Sequence, residues 1–116
     1  MKGNIIDDLR GMFGMKNVLL KHDVDDLRSV GIIVMGNNLH VGVSLRHKDD
    51  QRNKRKARHI ALGRAYRAQQ IFAGAQLRTR EQKRSVPLTF TLPTDGGESM
   101  HQAITDLFTG EFFKGL

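Results

Sequence analysis

The clearest pattern in the chain is a pair of apolar runs, residues 31–35 and 39–45, separated by Gly36, Asn37 and Asn38. Both runs contain β-branched residues, and the residues between them tolerate positive φ angles, so the pattern predicts a β-hairpin. The first run is apolar on both faces and is therefore expected inside a sheet.

The second run of the hairpin has a period of two. Its apolar members are Leu39, Val41, Val43 and Leu45, which alternate with His40, Gly42, Ser44 and Arg46. This alternation predicts that the apolar face packs on a core and that the other face meets solvent or a ligand.

Helical periodicity precedes and follows the hairpin. Residues 4–13 combine a cap at Asn4 with acidic residues in the first turn, which predicts a short amphipathic helix. Residues 49–74 place small and apolar side chains at every third or fourth position and predict one long helix, capped by Asp49 or Asp50. Its alanine-rich stripe indicates that another element approaches closely, either the sheet or a second copy of the helix.

The last third of the chain predicts one more strand and one more helix. Residues 86–92 alternate as a strand, and Pro87 favours a sheet edge. A last amphipathic helix is predicted to begin at a cap on Ser99. The tail that follows, with Phe112 and Phe113, is too apolar to stay exposed and is expected to complete the core or to form an oligomer contact.

These elements predict an α+β fold with a short N-terminal helix, a β-hairpin, a long basic helix, an additional edge strand and a C-terminal amphipathic helix. The 116 residues, 1–116, are expected to form a single domain. Residues 18–20 fit either a strand or a connector.

Composition excludes several classes of protein. The chain has no cysteine, which rules out disulfides, thiolate zinc sites and cysteine nucleophiles. Its amino terminus does not resemble a signal peptide, and no apolar run approaches the roughly 20 residues that cross a bilayer. We therefore expect a cytoplasmic protein without a membrane partner.

Positive charge is concentrated between residues 46 and 84, where 13 Lys and Arg face three Asp and Glu. This segment carries a net charge of +10, whereas the rest of the chain carries −3 and the whole chain +7. Because the charge is segregated, its field has a direction, and such a field attracts polyanions.

The candidate anion-binding residues are eight cations at the start of the long helix and along it. They are Lys48, Arg52, Lys54, Arg55, Lys56, Arg58, Arg64 and Arg67. A row that recurs at every third or fourth position, and so follows one helical face, consists of Lys48, Arg52, Arg55 and His59. Cations near a helix amino terminus oppose the macrodipole by about 0.3–1 kcal/mol each, which favours selection for binding. The alternative is a basic face that contacts only water.

Other chemistry is sparse in the basic half of the chain. Its two aromatic residues are Phe72, interpreted as core, and Tyr66, which fits packing or stacking on a ligand. We therefore expect phosphate contacts with little base readout. The five histidines lack metal-ligand spacing, and Asp49 and Asp50 fit a helix cap better than a nuclease site, so no metal, cofactor or enzymatic activity is expected.

A strand at residues 41–45 is followed by Lys48-Asp49-Asp50-Gln51-Arg52-Asn53-Lys54 and then by Arg58-His59-Ile60-Ala61-Leu62-Gly63-Arg64-Ala65, so the pattern covers residues 41–65. This arrangement resembles small bacteriophage-encoded proteins of uncharacterised function that join a strand to a helix through a basic linker. The resemblance implies a phage accessory protein inside an infected bacterium, in a class that includes nucleic-acid binders and inhibitors or sequesterers of host defence components. In physical terms, Gly63 is expected to let a strand or helix approach.

The leading hypothesis is a non-enzymatic protein that binds nucleic acid, DNA or RNA, through its phosphates. One alternative is an inhibitor that docks its basic face and apolar tail on a host defence protein. Another is a sequesterer of a phosphorylated nucleotide signal, held between the hairpin and the long helix. A homodimer, formed through the tail or a helix surface, is expected in each case.

Overall fold

The computed structural model describes residues 4–22, 27–46, 53–74 and 88–114. In chain order the elements are helix α1 (Ile5–Phe13), strands β1 (Val18–His22), β2 (Arg28–Met35) and β3 (Asn38–Leu45), helix α2 (Lys54–Phe72), strand β4 (Thr89–Pro93) and helix α3 (Gly97–Thr109). Short 3₁₀ turns cover Met15–Asn17 and Glu111–Phe113. The predicted α+β fold is confirmed. Within the described ranges, no helix has both the length and the apolar character needed to cross a membrane.

The four described strands form one antiparallel sheet in the order β1-β2-β3-β4. The predicted hairpin is present: Met35 pairs with Asn38, so the turn is Gly36-Asn37, and Gly36 has a φ of 60°. Strand β2 lies inside the sheet and β4 at an edge, as predicted. Residues 18–20 belong to a strand, β1.

Helices cover both faces of this sheet. α1 and α2 pack on one face, and α3 with the last 3₁₀ turn packs on the other. The buried core on the α3 side consists of Val30, Ile32, Leu39, Val41, Val43, Leu88 and Leu107, and the core on the α2 side of Leu9, Val18, Ile33, Leu62 and Ala65. Phe112 and Phe113 pack against the first of these cores, so the apolar tail helps to complete it.

Helix α2 approaches the sheet at a pair of glycines. Gly31 and Gly42 are direct partners across β2 and β3. A Cβ atom on Gly42 would lie 2.7 Å from the carbonyl carbon of Arg64, and a Cβ on Gly31 would lie 3.1 Å from the backbone of Ala61. Ala61 and Ala65, the helix residues at this contact, are fully buried. The close approach predicted from the alanine stripe is therefore an approach to the sheet.

Gly63 does not have the role predicted for it. A Cβ atom at this position would meet no atom within 4 Å. No neighbouring strand or helix of the described structure therefore needs a glycine there, and Gly31 and Gly42 fill the predicted role.

The starts of α1 and α3 differ in how well the sequence predicted them. Asn4 caps α1 as predicted, because its side-chain oxygen accepts a hydrogen bond from the Ile6 backbone N–H at 3.0 Å. α3 begins at Gly97, so the predicted cap at Ser99 is wrong. The N-cap of α3 is Gly96, whose φ of 79° favours glycine.

The prediction that one face of β3 meets solvent or a ligand is also wrong. His40, Gly42 and Ser44 lie on this face, and α2 covers it. His40 is 1% exposed and Ser44 6% exposed. The missing side chain at Gly42 lets the helix lie close enough to bury these two polar neighbours.

Candidate phosphate-binding surface on helix α2

Helix α2 begins at Lys54, and its cap is Asn53. The Asn53 side-chain oxygen accepts a hydrogen bond from the Lys56 backbone N–H at 3.0 Å. Its backbone oxygen accepts another from the Ala57 N–H, also at 3.0 Å. The predicted cap at Asp49 or Asp50 is therefore wrong, and both aspartates lie outside the described residues.

The first turn of α2 is formed by Lys54, Arg55 and Lys56, which we call the basic turn. All three side chains are exposed, and the turn contains no acidic residue. The positive end of the helix dipole and three full positive charges therefore coincide. Because the helix starts later than predicted, these cations stand closer to its positive end than the sequence indicated.

The basic turn is not neutralised by the described part of the chain. Lys54, Arg55 and Lys56 form no salt bridge with a described carboxylate, and neither does Arg58, which is half buried one turn further along. The salt bridge observed among the described residues joins Lys114 to Glu111, at 2.8 Å, beyond α3. Within the described ranges, therefore, no carboxylate competes with an external anion for the basic turn.

Two of the four hydrogen-bond donors in the predicted row lie in the described part of the chain. Arg55 and His59 are both exposed and lie one helical turn apart on α2, as the spacing predicted. Lys48 and Arg52, the other members of the row and also candidate binding residues, lie outside the described residues.

The structure separates Arg64 and Arg67 from the basic turn. At 1.5 Å per residue they lie about 15 Å and about 20 Å along the helix axis from Lys54. Arg64 is half buried, and its guanidinium donates a hydrogen bond to the Val43 carbonyl oxygen at 2.7 Å. Arg64 thus ties α2 to strand β3, whereas Arg67 is exposed.

Beneath α2 the sheet carries a row of polar side chains. His22, Ser29 and Ser44 are successive partners across β1, β2 and β3. The His22 Nδ1 and Ser29 Oγ atoms are hydrogen bonded at 2.6 Å, and both serines are buried. Ser29 and Ser44 occupy the strand positions next to the glycine pair, on the same face, so they belong to the packing between the sheet and α2.

His40 lies on this face next to Gly42, on the side away from Ser44. Its Nδ1 atom is hydrogen bonded to the Thr91 hydroxyl at 2.8 Å. Burial lowers the pKa of His40, because removing the imidazole from water disfavours its charged form.

Of the two aromatic residues of α2, Phe72 differs from its predicted role, and Tyr66 takes one of the two roles that the sequence left open. Phe72 was predicted to be core, but it is 59% exposed at the end of α2. Tyr66 packs against the core on the α2 side, with its ring centroid 6.0 Å from that of Phe13. The helical periodicity does not indicate that Phe72 is exposed, because the exposure of a residue in the last turn depends on how the helix lies on the sheet.

A second cationic position, which no pattern in the sequence predicted, lies on the α3 side of the sheet. The Arg28 guanidinium stands 4.5 Å from the centroid of the Phe113 ring. Arg28 and Lys21 line a shallow depression beside Thr109 and Gly110, where α3 ends. Cations at a helix carboxyl terminus complement its dipole, so a structural role explains both side chains.

Comparisons with protein-family models, curated proteins and solved structures found no match to this chain. The resemblance to small bacteriophage proteins stays a prediction. Among the described residues, no group of three or more His, Asp or Glu side chains is placed to hold a metal ion. A function for this chain therefore has to follow from its own geometry and charge.

Proposed function

We propose that this protein is a non-enzymatic binder of nucleic acid that contacts the phosphates through the basic turn. The observation that supports this most directly is the placement of Lys54, Arg55 and Lys56, which are exposed and share the first turn of a 19-residue helix with no acidic residue. This placement costs about 0.3–1 kcal/mol of folding stability per charge. The cost is offset when an anion binds, since the same charges then stabilise the complex.

The chemistry of the basic turn suits phosphate oxygens. Lysine and arginine side chains supply positive charge and several N–H donors, and the first backbone N–H groups of a helix have no acceptor within the helix. Contacts of this type recognise the phosphate backbone of DNA and RNA without reading its sequence. Lys48 and Arg52 before the turn, and Arg58 and Arg67 after it, are proposed to extend the contact.

The phage resemblance adds a biological setting to this proposal. The protein would act as an accessory protein in the cytoplasm of an infected bacterium. A homodimer would present two basic turns to one nucleic acid and would raise the overall affinity through a high effective concentration. Because Phe112 and Phe113 pack against the core on the α3 side, we place the dimer contact of this proposal on a helix surface.

The test compares two charge reversals at exposed lysines. Lys56→Glu changes the basic turn, and Lys114→Glu makes the same charge change beyond α3, on the opposite side of the sheet. Binding to a labelled duplex of arbitrary sequence is measured by fluorescence anisotropy over a range of salt concentrations. We expect Lys56→Glu to weaken binding roughly tenfold, to lower the slope of log K against log salt by about one, and to act equally on all sequences. Lys114→Glu should leave binding close to that of the wild type.

Four results would contradict the proposal. Binding that does not change with salt would exclude a phosphate-dominated complex. Equal losses in the two variants would show that only net charge matters. A bacterial partner protein that is still captured after nuclease treatment would favour the host-protein inhibitor instead, and a thermal shift with a mono-, di- or cyclic nucleotide would favour the sequesterer.

A further inference from the structure

The aromatic ring of Phe72 has an unusual position for a large apolar side chain. Phe72 is the last residue of α2 and is 59% exposed. Its ring contacts the imidazole of His40, with the two centroids 5.2 Å apart and the planes tilted by 55°. The ring therefore has a buried neighbour, His40, and more than half of the residue is accessible to solvent.

The side chain that Phe72 contacts is buried and hydrogen bonded. His40 is 1% exposed, lies in strand β3 between β2 and β4, and is hydrogen bonded to Thr91 at 2.8 Å. The Phe72 backbone is fixed by the preceding turns of α2. A ligand that stacks on this ring therefore meets a side chain that already packs on a buried neighbour, which lowers the entropy lost on binding.

Charge indicates what kind of ligand would stack there. Phe72 is the last residue of the helix that begins with the basic turn. The same helix carries Arg67, which is exposed, five residues before Phe72. A flat, apolar group that belongs to an anionic chain fits both properties, and a nucleobase of a single-stranded nucleic acid is such a group.

We propose that Phe72 is a stacking platform for an unpaired base, so that this protein prefers single-stranded nucleic acid to a duplex. The inference rests on the proposed function, because the phosphates of the same strand would bind the basic turn. Bases in a duplex are stacked on each other and cannot reach an external ring, whereas bases of a single strand can.

The distance between the two ends of α2 determines how long a single-stranded nucleic acid must be to contact both the basic turn and Phe72. Lys56 and Phe72 are sixteen residues apart, which is about 24 Å along the helix axis. At about 3.4 Å per stacked nucleotide this corresponds to about seven nucleotides. A labelled single strand of about 12 nucleotides can therefore reach both ends, and one of about three nucleotides cannot.

The experiment measures the affinity of the wild type and four variants for single-stranded and duplex probes of about 12 nucleotides. Stacking of one base contributes about 1–3 kcal/mol, so Phe72→Ala should weaken single-strand binding about fivefold to 150-fold and leave duplex binding unchanged. Phe72→Leu still covers His40 but has no π face, so its affinity for the single strand should fall as much as that of Phe72→Ala. Phe72→Trp should keep the affinity of the wild type. Met15→Ala is the matched control, because Met15 is also an exposed apolar residue, at 73%, and lies outside α2.

The outcomes separate this inference from the proposed function. If the wild type binds both probes in a salt-dependent way and Phe72→Ala changes neither affinity, or both equally, the platform is excluded and phosphate binding stands. An unchanged affinity of Phe72→Leu would also exclude stacking. A wild type that binds neither probe would overturn both proposals. With the probe of about three nucleotides, the effect of Phe72→Ala should disappear.

Discussion

Gly42 is the position where the contact between sheet and helix leaves no room for a side chain. The atoms that a Cβ would meet are the backbone atoms of Ala61, Arg64 and Ala65, which cannot turn aside as a flexible side chain would. Gly63 lies in the same contact region of the sequence but has open space around it. The two glycines of the hairpin and helix thus have different physical reasons for being present.

This difference predicts opposite effects of the same substitution. Gly42→Ala should destabilise the fold by about 3 kcal/mol or more, because the helix has to move away from the sheet. Gly63→Ala should stabilise it by about 0.5–1 kcal/mol, because alanine restricts the unfolded chain and favours the helix. Urea unfolding of the two variants and the wild type measures both effects. A Gly42→Ala protein as stable as the wild type would contradict the close contact between Gly42 and the backbone of α2.

Arg64 shows why the number of Lys and Arg residues in a segment overestimates how many of them can contact a ligand. Its charge contributes to the basic segment, yet its guanidinium donates to the Val43 carbonyl. Such a bond holds the side chain against the sheet. The sequence gives no sign of this, because the acceptor lies 21 residues earlier in the chain and belongs to the backbone.

Helix α2 combines a good cap with poorly placed charges. Asn53 satisfies the Lys56 N–H, while the side chains of the first turn repel the positive end of the helix. A helix that served only to stabilise the fold would carry acidic residues at these positions. The conflict between stability and charge is confined to the part of α2 that we propose as the binding surface.

The same conflict gives a prediction for stability. Lys56→Glu should raise the free energy of unfolding by about 1 kcal/mol, because it removes an unfavourable charge and adds a carboxylate at the third helical position after Asn53, as in a capping box. Thermal or urea unfolding at low salt measures the gain, and the gain should shrink at high salt. The variant would then be more stable and bind less tightly, a combination that simple misfolding does not produce. A loss of stability would contradict the dipole argument.

The elements themselves were predicted well, and their ends less well. Periodicity identified the hairpin, the three helices and the edge strand, because alternation and a three-to-four repeat follow directly from strand and helix geometry. The start of α2 at Lys54 and of α3 at Gly97 were missed. Several polar residues before each helix have the chemistry of a cap, and the choice among them depends on where the preceding chain enters the fold.

At the scale of the whole molecule, stability should depend on pH through His40. Burial lowers its pKa below the ordinary value of 6.5, so His40 binds a proton less readily in the folded protein than in the unfolded chain. As the pH falls below 6.5, the free energy of unfolding should therefore fall, by at most about 1.4 kcal/mol per pH unit from this group, until the lowered pKa is reached. Above pH 6.5 the contribution is constant.

The measurement compares urea unfolding at about pH 7.5 and about pH 5.5. The wild type should lose more stability between these values than His40→Asn, which cannot take up the proton. His59→Gln is the control, since His59 is exposed on α2, and it should behave as the wild type does. An identical pH dependence in all three proteins would show that His40 titrates as it does in water.

The amino-acid sequence by itself determined the class of fold, the identity of its elements and the concentration of positive charge between residues 46 and 84. These properties are local or additive, so they can be read along the chain. Only the tertiary structure decided that α2 lies on the glycine pair, that Arg64 binds the sheet and that Phe72 is exposed while Tyr66 is packed. Each of these depends on distances between residues far apart in sequence, and such distances follow from how the helix and the sheet pack together.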